Sequence, residues 1–292
     1  MSRAPSPGTA QVEWPLPLTV NYLVAKVAEA LDEDAARDDI TTHALVREEL
    51  SGRAQLRSHS AGVVAGLVMV EEVYGQLDHR VKLRVEVPDG GKVAPGEVVG
   101  ELRGPLAPLL QGERVALNFL QQLSGVASLT RRFVDAAHPV PIFDTRKTVP
   151  GLRPLQRYAV LAGGGHNHRS DLAQAVLIKD NHIALVGGVE QAVRRARATG
   201  HEVEVEVESL DQLREALAAG ADLVLLDNMT PPEVAAAVRQ AAGRARLEVS
   251  GGIRLDTVAA YAATGIDRIS VGALTHSAPA LDISMEMVRT WR

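Results

Sequence analysis

Cysteine is absent from the 292 residues. That excludes disulfides, thiolate metal sites and a cysteine nucleophile, and it suits a reducing compartment, so a cytoplasmic protein is expected. Aromatic residues are scarce, at 3%. A protein that reads single-stranded nucleic acid by stacking needs more of them. A basic surplus is also missing. Lys and Arg number 31 against 36 Asp and Glu, for a net charge of −5, where a nucleic-acid coat needs the opposite sign. No run reaches the ~18 apolar residues of a membrane helix, so neither nucleic acid nor membrane is an expected partner. The opening MSRAPSPGTAQVEWP lacks the apolar core of a secretory signal. Residues 1–17 read as a disordered lead-in.

What remains is ordinary for a globular enzyme: 46% hydrophobic and 23% charged residues. The first 125 residues mix elements. Helical periodicity covers Leu18 to Arg37 and Gly66 to Leu77, and strand alternation covers Ser51 to Ser58 and His79 to Val87. Leu109 to Ala137 reads as helix with an interruption near Ser124-Gly125. This is α+β composition.

From Val140 the pattern becomes regular. Strands are predicted at 140–143, 175–178, 203–207, 223–226, 246–249 and 268–271. Helices are predicted between them at 155–162, 189–199, 210–219, 232–242 and 255–264. Such alternation with short links implies a parallel sheet. Polar residues stand at the strand ends: Asp144, Lys179, Glu206, Asp227, Ser250 and Gly272. The last four are 21, 23 and 22 residues apart, one strand–helix unit each. In α/β barrels and in open α/β sheets alike, those ends build the active site. Six strands fall short of the eight of a full barrel.

Asp144 to His182 is the most informative segment of the chain, with Arg146, Lys147, Arg153, Arg157, Arg169, Lys179, His166, His168 and His182. Guanidinium groups pair bidentately with carboxylate or phosphate. In a net acidic chain such a cluster points to an anionic small ligand. Arg153 and Arg157, on a helix, read as a solvated face. Two histidines at i, i+2 without a third ligand are a weak metal signal, so one of His166 and His168 is read as a ligand donor and the other as structural.

HEVEVEVES puts Glu202, Glu204, Glu206 and Glu208 on one strand face and valines on the other. On pattern alone this face is either a wet edge or the barrel interior. In the interior it would need pairing or a hard cation. Asp227, ending the apolar run of LVLLDN, is placed at the mouth. EVSGGIR and ISVGALTHS are strand–glycine turns, predicted to cradle phosphate at a helix start. A faint similarity of DGGKVAPGEVVGEL to carrier-protein turns is weakened because Lys92 is not at a modifiable hairpin tip.

DTRKT, GGGHNHR, LIKDNH, VEVE, LLDN, SGGI and GERVALNFLQQLSGVA, in that context, resemble the quinolinate phosphoribosyltransferase family. The likeness runs over nearly the whole chain after about residue 18. It implies an incomplete α/β barrel of about six strands (126–276), an N-terminal α+β open sandwich (18–125), and a tail (277–292) returning to the sandwich. It implies transfer of phosphoribosyl from 5-phosphoribosyl 1-pyrophosphate to quinolinate with decarboxylation, using Mg²⁺, in NAD biosynthesis. A related phosphoribosyltransferase acting on another anionic acceptor is the alternative. By the same resemblance Arg146, Lys147, His168, Arg169 and Lys179 hold the quinolinate carboxylates. Arg114 reaches in from the partner of a homodimer with shared sites, within a higher oligomer in some members. Glu206 and Asp227 face the ribose and Mg²⁺, directly or through water, and with Lys147 form the catalytic set. The motif register selects Glu206 over Glu204 and Glu208. Ser250, Gly251, Gly252 and Gly272 hold the 5′-phosphate. The chain departs from the family at ARDDITT, where Asp38 replaces a glycine and is an expected point of strain.

Overall fold

Thr19 opens the first helix, α1 (Val20–Glu33), because its hydroxyl accepts from the N–H of Tyr22. Leu23, Val27 and Leu31 form its buried stripe. The computed structural model describes residues 18–291, and the lead-in expected over 1–17 lies outside them. A 3₁₀ turn at Ala36–Asp38 leads to α2 (Ile40–Leu45), capped by Asp39. The strain expected at Asp38 is not there. The left-handed residue is Ala35 (φ 48), and Asp38 closes the 3₁₀ turn.

The N-terminal part continues with β1 (Ser51–Ser58), β2 (Gly62–Val63), α3 (Leu67–Leu77), β3 (Lys82–Val85), β4 (Lys92–Val93), β5 (Val98–Pro105), α4 (Leu106–Gln111) and α5 (Glu113–Ala137). Every second residue of β1 is buried, as one packed sheet face requires. The interruption expected at Ser124-Gly125 does not occur, and α5 runs through it; the break is at Gly112 instead. Both residues serve packing. Ser124 Oγ accepts from the N–H of Ala65 at 3.0 Å. A Cβ on Gly125 would collide with the Pro279 carbonyl, so glycine lets the chain cross the helix.

The second half runs β6 (Ile142–Phe143), α6 (Arg153–Ala162), β7 (Val176–Ile178), α7 (Asp180–Val186), α8 (Val189–Arg197), β8 (Val203–Val207), α9 (Leu210–Ala218), β9 (Leu223–Asp227), α10 (Pro231–Ala241), β10 (Arg246–Ser250), α11 (Val258–Ala262), β11 (Arg268–Ser270) and α12 (Ala273–His276). The six strands are parallel, in the order β6-β11-β10-β9-β8-β7. The first strand pairs with the last, while all other neighbours are consecutive. That is a barrel with its seam open between β6 and β7. Among the described residues only a single bridge, from Phe143 to His166, extends β6 into the seam. Helix α7 escaped the sequence reading. It has no buried residue, so it carries no hydrophobic periodicity to read.

The chain ends in β12 (Ile283–Trp291), which pairs antiparallel with β1 and gives the order β12-β1-β5-β3. Among the described residues no helix is long and apolar enough to cross a membrane.

Candidate active site

A cavity of about 470 Å³ opens where the barrel strands end. Arg146, Lys147, His168, Arg169, Lys179, Glu206, Asp227, Ser250, Gly251 and Gly252 all line it. Gly272 stands beside it: a Cβ there would lie 3.2 Å from Cδ of Lys147. Arg114 does not reach the cavity of its own chain and is exposed near the start of α5.

The basic wall rests on the loop after β6. The buried Gln156 accepts from the N–H of Val149 and donates to the carbonyl of Thr275 at 2.6 Å. Thr275 in turn donates to the carbonyl of Lys147 at 2.7 Å. Arg153 and Arg157 are not the solvated face expected. Arg153 donates to Thr148 Oγ1 and the Ser170 carbonyl, and Arg157, 6% exposed, donates to the His168 carbonyl at 2.6 Å. Their helix packs inward against the loops it stabilises. Asp144 is fully buried, accepts from the N–H of His168 at 2.7 Å and lies 3.6 Å from Arg157. Burial pushes its carboxyl up to about 6 despite the Arg157 charge.

Arg146 and Arg169 line the cavity, and among the described residues their buried Nε atoms have no partner, while Arg169 Nη1 donates to the Ala175 carbonyl at 2.9 Å. Burial, and then the charge of Arg146, holds Arg169 below the ordinary guanidinium range. Two adjacent cations with orphaned donors are costly unless an anion joins them.

The acidic wall lies opposite. Glu206 pairs with Lys179 at 2.6 Å. Burial, and then the charge of Glu206, raises Asp227 above the usual carboxylate range. The two carboxyl groups, of which Glu206 alone is paired with a lysine, form an all-oxygen donor set that fits a hard divalent cation. Beside them Asn228, held at φ 56, donates its amide to Asp227 at 2.8 Å. The glycine turn follows, with φ 90 at Gly251 and 64 at Gly252. Among the described residues neither backbone N–H of that turn has an acceptor. The helix start expected behind it is displaced: α11 begins at Val258, not Leu255, and α12 has four residues. Any phosphate here would be held by open N–H groups of the turns, not by helix ends.

β8 holds two of the four glutamates, Glu204 and Glu206; Glu202 and Glu208 flank the strand and are exposed, while Glu204 is buried beneath the cavity. It meets His168 Nε2 at 3.0 Å and Arg268 at 3.3 Å, and Glu248 completes the group through Arg268. The His168 contact is not an aligned hydrogen bond. His168 was expected to donate to a ligand. Its Nδ1 accepts from the N–H of Arg169 at 2.9 Å and its Nε2 faces Glu204, so the ring contributes to the wall without a free donor. His166 stacks on Phe143, its centroid 5.1 Å away, and is structural. His168, Glu204 and Glu248 lie close enough together to hold a metal, but the Arg268 guanidinium already supplies the positive charge there. Glu248, Arg268, Ser270 and Asn228 were missed from sequence. Strand parity held the signal for Glu248, two residues before Ser250.

A cation-lined cavity with an acidic pair and open backbone donors, at the strand ends of an incomplete α/β barrel, defines an enzyme of small anionic, phosphorylated substrates. The family models "Quinolinate phosphoribosyl transferase, N-terminal domain" and "C-terminal domain" match residues 39–124 and 126–286. The chain is 45% identical over 260 residues to the probable nicotinate-nucleotide pyrophosphorylase (carboxylating) of Bacillus subtilis, covering 87% of this chain and 90% of that one. Identity to the Mycobacterium leprae nicotinate-nucleotide pyrophosphorylase (carboxylating) is 43% over 273 residues, covering 89% and 95%. The solved nicotinate-nucleotide pyrophosphorylase of Francisella tularensis superposes with a TM-score of 0.89 at 39% identity, covering 93% of this chain and 98% of that one. The chain belongs to the quinolinate phosphoribosyltransferase family.

Proposed function

We propose that the chain transfers the phosphoribosyl group of 5-phosphoribosyl 1-pyrophosphate to the ring nitrogen of quinolinate and releases pyrophosphate and CO₂, forming nicotinate mononucleotide for NAD biosynthesis. The observation that carries this reading is the pair Arg146 and Arg169, adjacent, half-buried and short of partners. A mono-anion would leave one of them uncompensated, and a vicinal dicarboxylate satisfies both. Lys147 and Lys179 add charge around the same ligand.

The chain's residues then act in order. Arg146, Arg169 and Lys179 neutralise the dianion and set its ring nitrogen toward the anomeric carbon. Ser250 and the open N–H groups of Gly251 and Gly252, with Gly272 beside them, hold the 5′-phosphate. Glu206 and Asp227 face the ribose, where their charge favours the positive character that develops as pyrophosphate leaves. Lys147, on the loop between the two walls, stabilises the departing phosphates. Glu206 and Asp227 would also hold Mg²⁺, directly or through water, and the ion would supply charge neutralisation for the pyrophosphate. No covalent enzyme intermediate is needed. The quaternised ring nitrogen accepts the electron pair left by CO₂.

Arg114, remote from its own cavity, fits a role in the cavity of a second copy, and a homodimer with shared sites is part of the proposal. The cysteine-free sequence suits the cytoplasm as the place of action.

The test is turnover of quinolinate against nicotinate with the same phosphoribosyl donor, following CO₂ and nucleotide. A site built to pair a polar group rejects analogues lacking it by up to ~10⁴–10⁵. Comparable kcat/KM for the two acids would overturn the quinolinate assignment in favour of another acceptor.

A further inference from the structure

The open seam of the barrel is crossed by the segment from His166 to Ala175, which carries Arg169 to the cavity. Strand β6 pairs with β11 and β7 with β8, and among the described residues no ladder joins β6 to β7. The segment is fixed from the β6 side. His166 donates its N–H to the Ile142 carbonyl at 2.8 Å and stacks on Phe143. Asp144 accepts from the His168 N–H at 2.7 Å, and Arg157 of α6 donates to the His168 carbonyl at 2.6 Å. Toward the other side the His168 ring faces Glu204 of β8 at 3.0 Å. Because Nδ1 of that ring accepts from the N–H of Arg169, the ring and the Arg169 backbone are tied together.

Arg268, on β11, reaches both sides of the seam through the barrel interior. Its guanidinium pairs with Glu204 at 3.3 Å and with Glu248 of β10, and it lies over the Phe143 ring, 5.0 Å from the centroid. Phe143 ends β6, one edge of the seam, and Glu204 lies on the strand beside β7, the other edge. Barrel interiors are ordinarily filled by branched apolar side chains. A buried ion group in their place is a weak source of stability. What a planar guanidinium supplies is geometry, since its fork holds two carboxylates at set positions. The width of the seam in turn bears on the cavity. Arg146 stands on the loop after β6 and Arg169 on the crossing segment, so the seam lies between the two roots of the guanidinium pair.

We propose that Arg268 is a positioning residue, a side-chain brace across the open seam. By holding Glu204 and Phe143 at once it fixes His168, sets the separation of Arg146 and Arg169, and so selects an acceptor whose two carboxylates are vicinal. This rests on the quinolinate reading of the cavity. Arg268 itself does not line the cavity and touches no reacting atom. The half of the site that takes the phosphoribosyl donor stands apart from the brace. Glu206, Asp227 and Ser250 lie at the ends of β8, β9 and β10, whose ladders are continuous. Releasing the brace therefore loosens the acceptor half and leaves the donor half in place.

The experiment is calorimetric titration of the full-length protein with benzene-1,2-dicarboxylate, benzene-1,3-dicarboxylate and 5-phosphoribosyl 1-pyrophosphate. The variants are Arg268→Lys, and Arg268→Met combined with Glu248→Gln. Lysine keeps the charge without the fork. The double variant removes one charge of each sign, so neither change strands a buried carboxylate. In the parent the 1,2-isomer binds at least ~10-fold more tightly than the 1,3-isomer, as expected when one of two charged contacts is lost. Arg268→Lys narrows that ratio and the double variant brings it toward unity, while affinity for the phosphoribosyl donor changes less than affinity for the 1,2-isomer. A ratio of two dissociation constants does not depend on how much of the protein is folded, so a merely structural role leaves it unmoved. An unchanged ratio, or equal losses for donor and acceptor, overturns the proposal. A ratio that narrows in the double variant alone assigns the effect to the Glu248 charge on the cavity floor and also overturns it. If the double variant does not fold, Arg268→Lys decides by the same ratio. A parent that binds neither isomer, or both equally, would instead overturn the vicinal-dicarboxylate reading of the cavity, and the role of the brace with it.

Discussion

Thr275 donates its hydroxyl to the carbonyl of Lys147 at 2.7 Å, across 128 positions of sequence. The bond ties the helix after the last barrel strand to the loop after the first, on the closed side of the barrel. Thr275→Val keeps the branched shape and removes the donor. It is expected to cost about 1 kcal/mol and to raise KM for both substrates as the Arg146–Lys147 loop loosens. Melting and steady-state kinetics check it. Lower stability with unchanged kinetics would mean the loop is held by Gln156 and Arg153 alone.

Arg169→Lys keeps the charge and removes the planar fork. It also separates two guanidiniums that repel each other. Quinolinate binding is expected to weaken by roughly tenfold or more, the loss of about 1.4 kcal/mol, with a thermal midpoint unchanged or slightly higher. Early melting with intact binding would make Arg169 a structural residue.

Gly251 and Gly252 both have positive φ, but only Gly251 is enclosed. A Cβ there would collide with the Asn228 side chain and lie 2.9 Å from its backbone nitrogen, whereas Gly252 has open space. Gly252→Ala is expected to cost about 1 kcal/mol. Gly251→Ala should cost more and displace Asn228 and Asp227. The measurement is KM for 5-phosphoribosyl 1-pyrophosphate, with a much larger rise for Gly251→Ala. Equal effects would place the phosphate elsewhere.

The all-oxygen donor pair Glu206 and Asp227 should make activity depend on a hard cation. Excess chelator is expected to abolish turnover, and Mg²⁺ or Mn²⁺ to restore it. Full activity in chelator would leave the leaving group to Lys and Arg side chains.

Arg114→Ala and Lys179→Ala should each be nearly inactive. Mixed and exchanged at random, half the dimers are hybrids, and each hybrid has one intact site if Arg114 serves the partner's cavity. Recovery of about one quarter of parental activity follows from that symmetry. Native mass spectrometry of tagged chains verifies exchange. Hybrids without recovered activity would place the action of Arg114 within its own chain.

Much of this protein was legible in sequence because its signals are local. All six barrel strands lie within two residues of their expected bounds at each end, since apolar runs closed by glycine turns need no tertiary context. Strand-end position also carried Lys179, Glu206, Asp227 and Ser250 to the cavity. Three-dimensional packing decided the rest. Gly125 reads as a helix breaker but serves a chain crossing, because close approach overrides propensity. Arg157 reads as solvated but lies buried against the His168 carbonyl, a partner eleven residues away whose position only the fold sets. The Glu204–His168–Arg268–Glu248 group draws on three strands and a loop. Each member alone is an ordinary charged residue. Only barrel closure, which removes water from all of them at once, turns their charge balance into a property of the site.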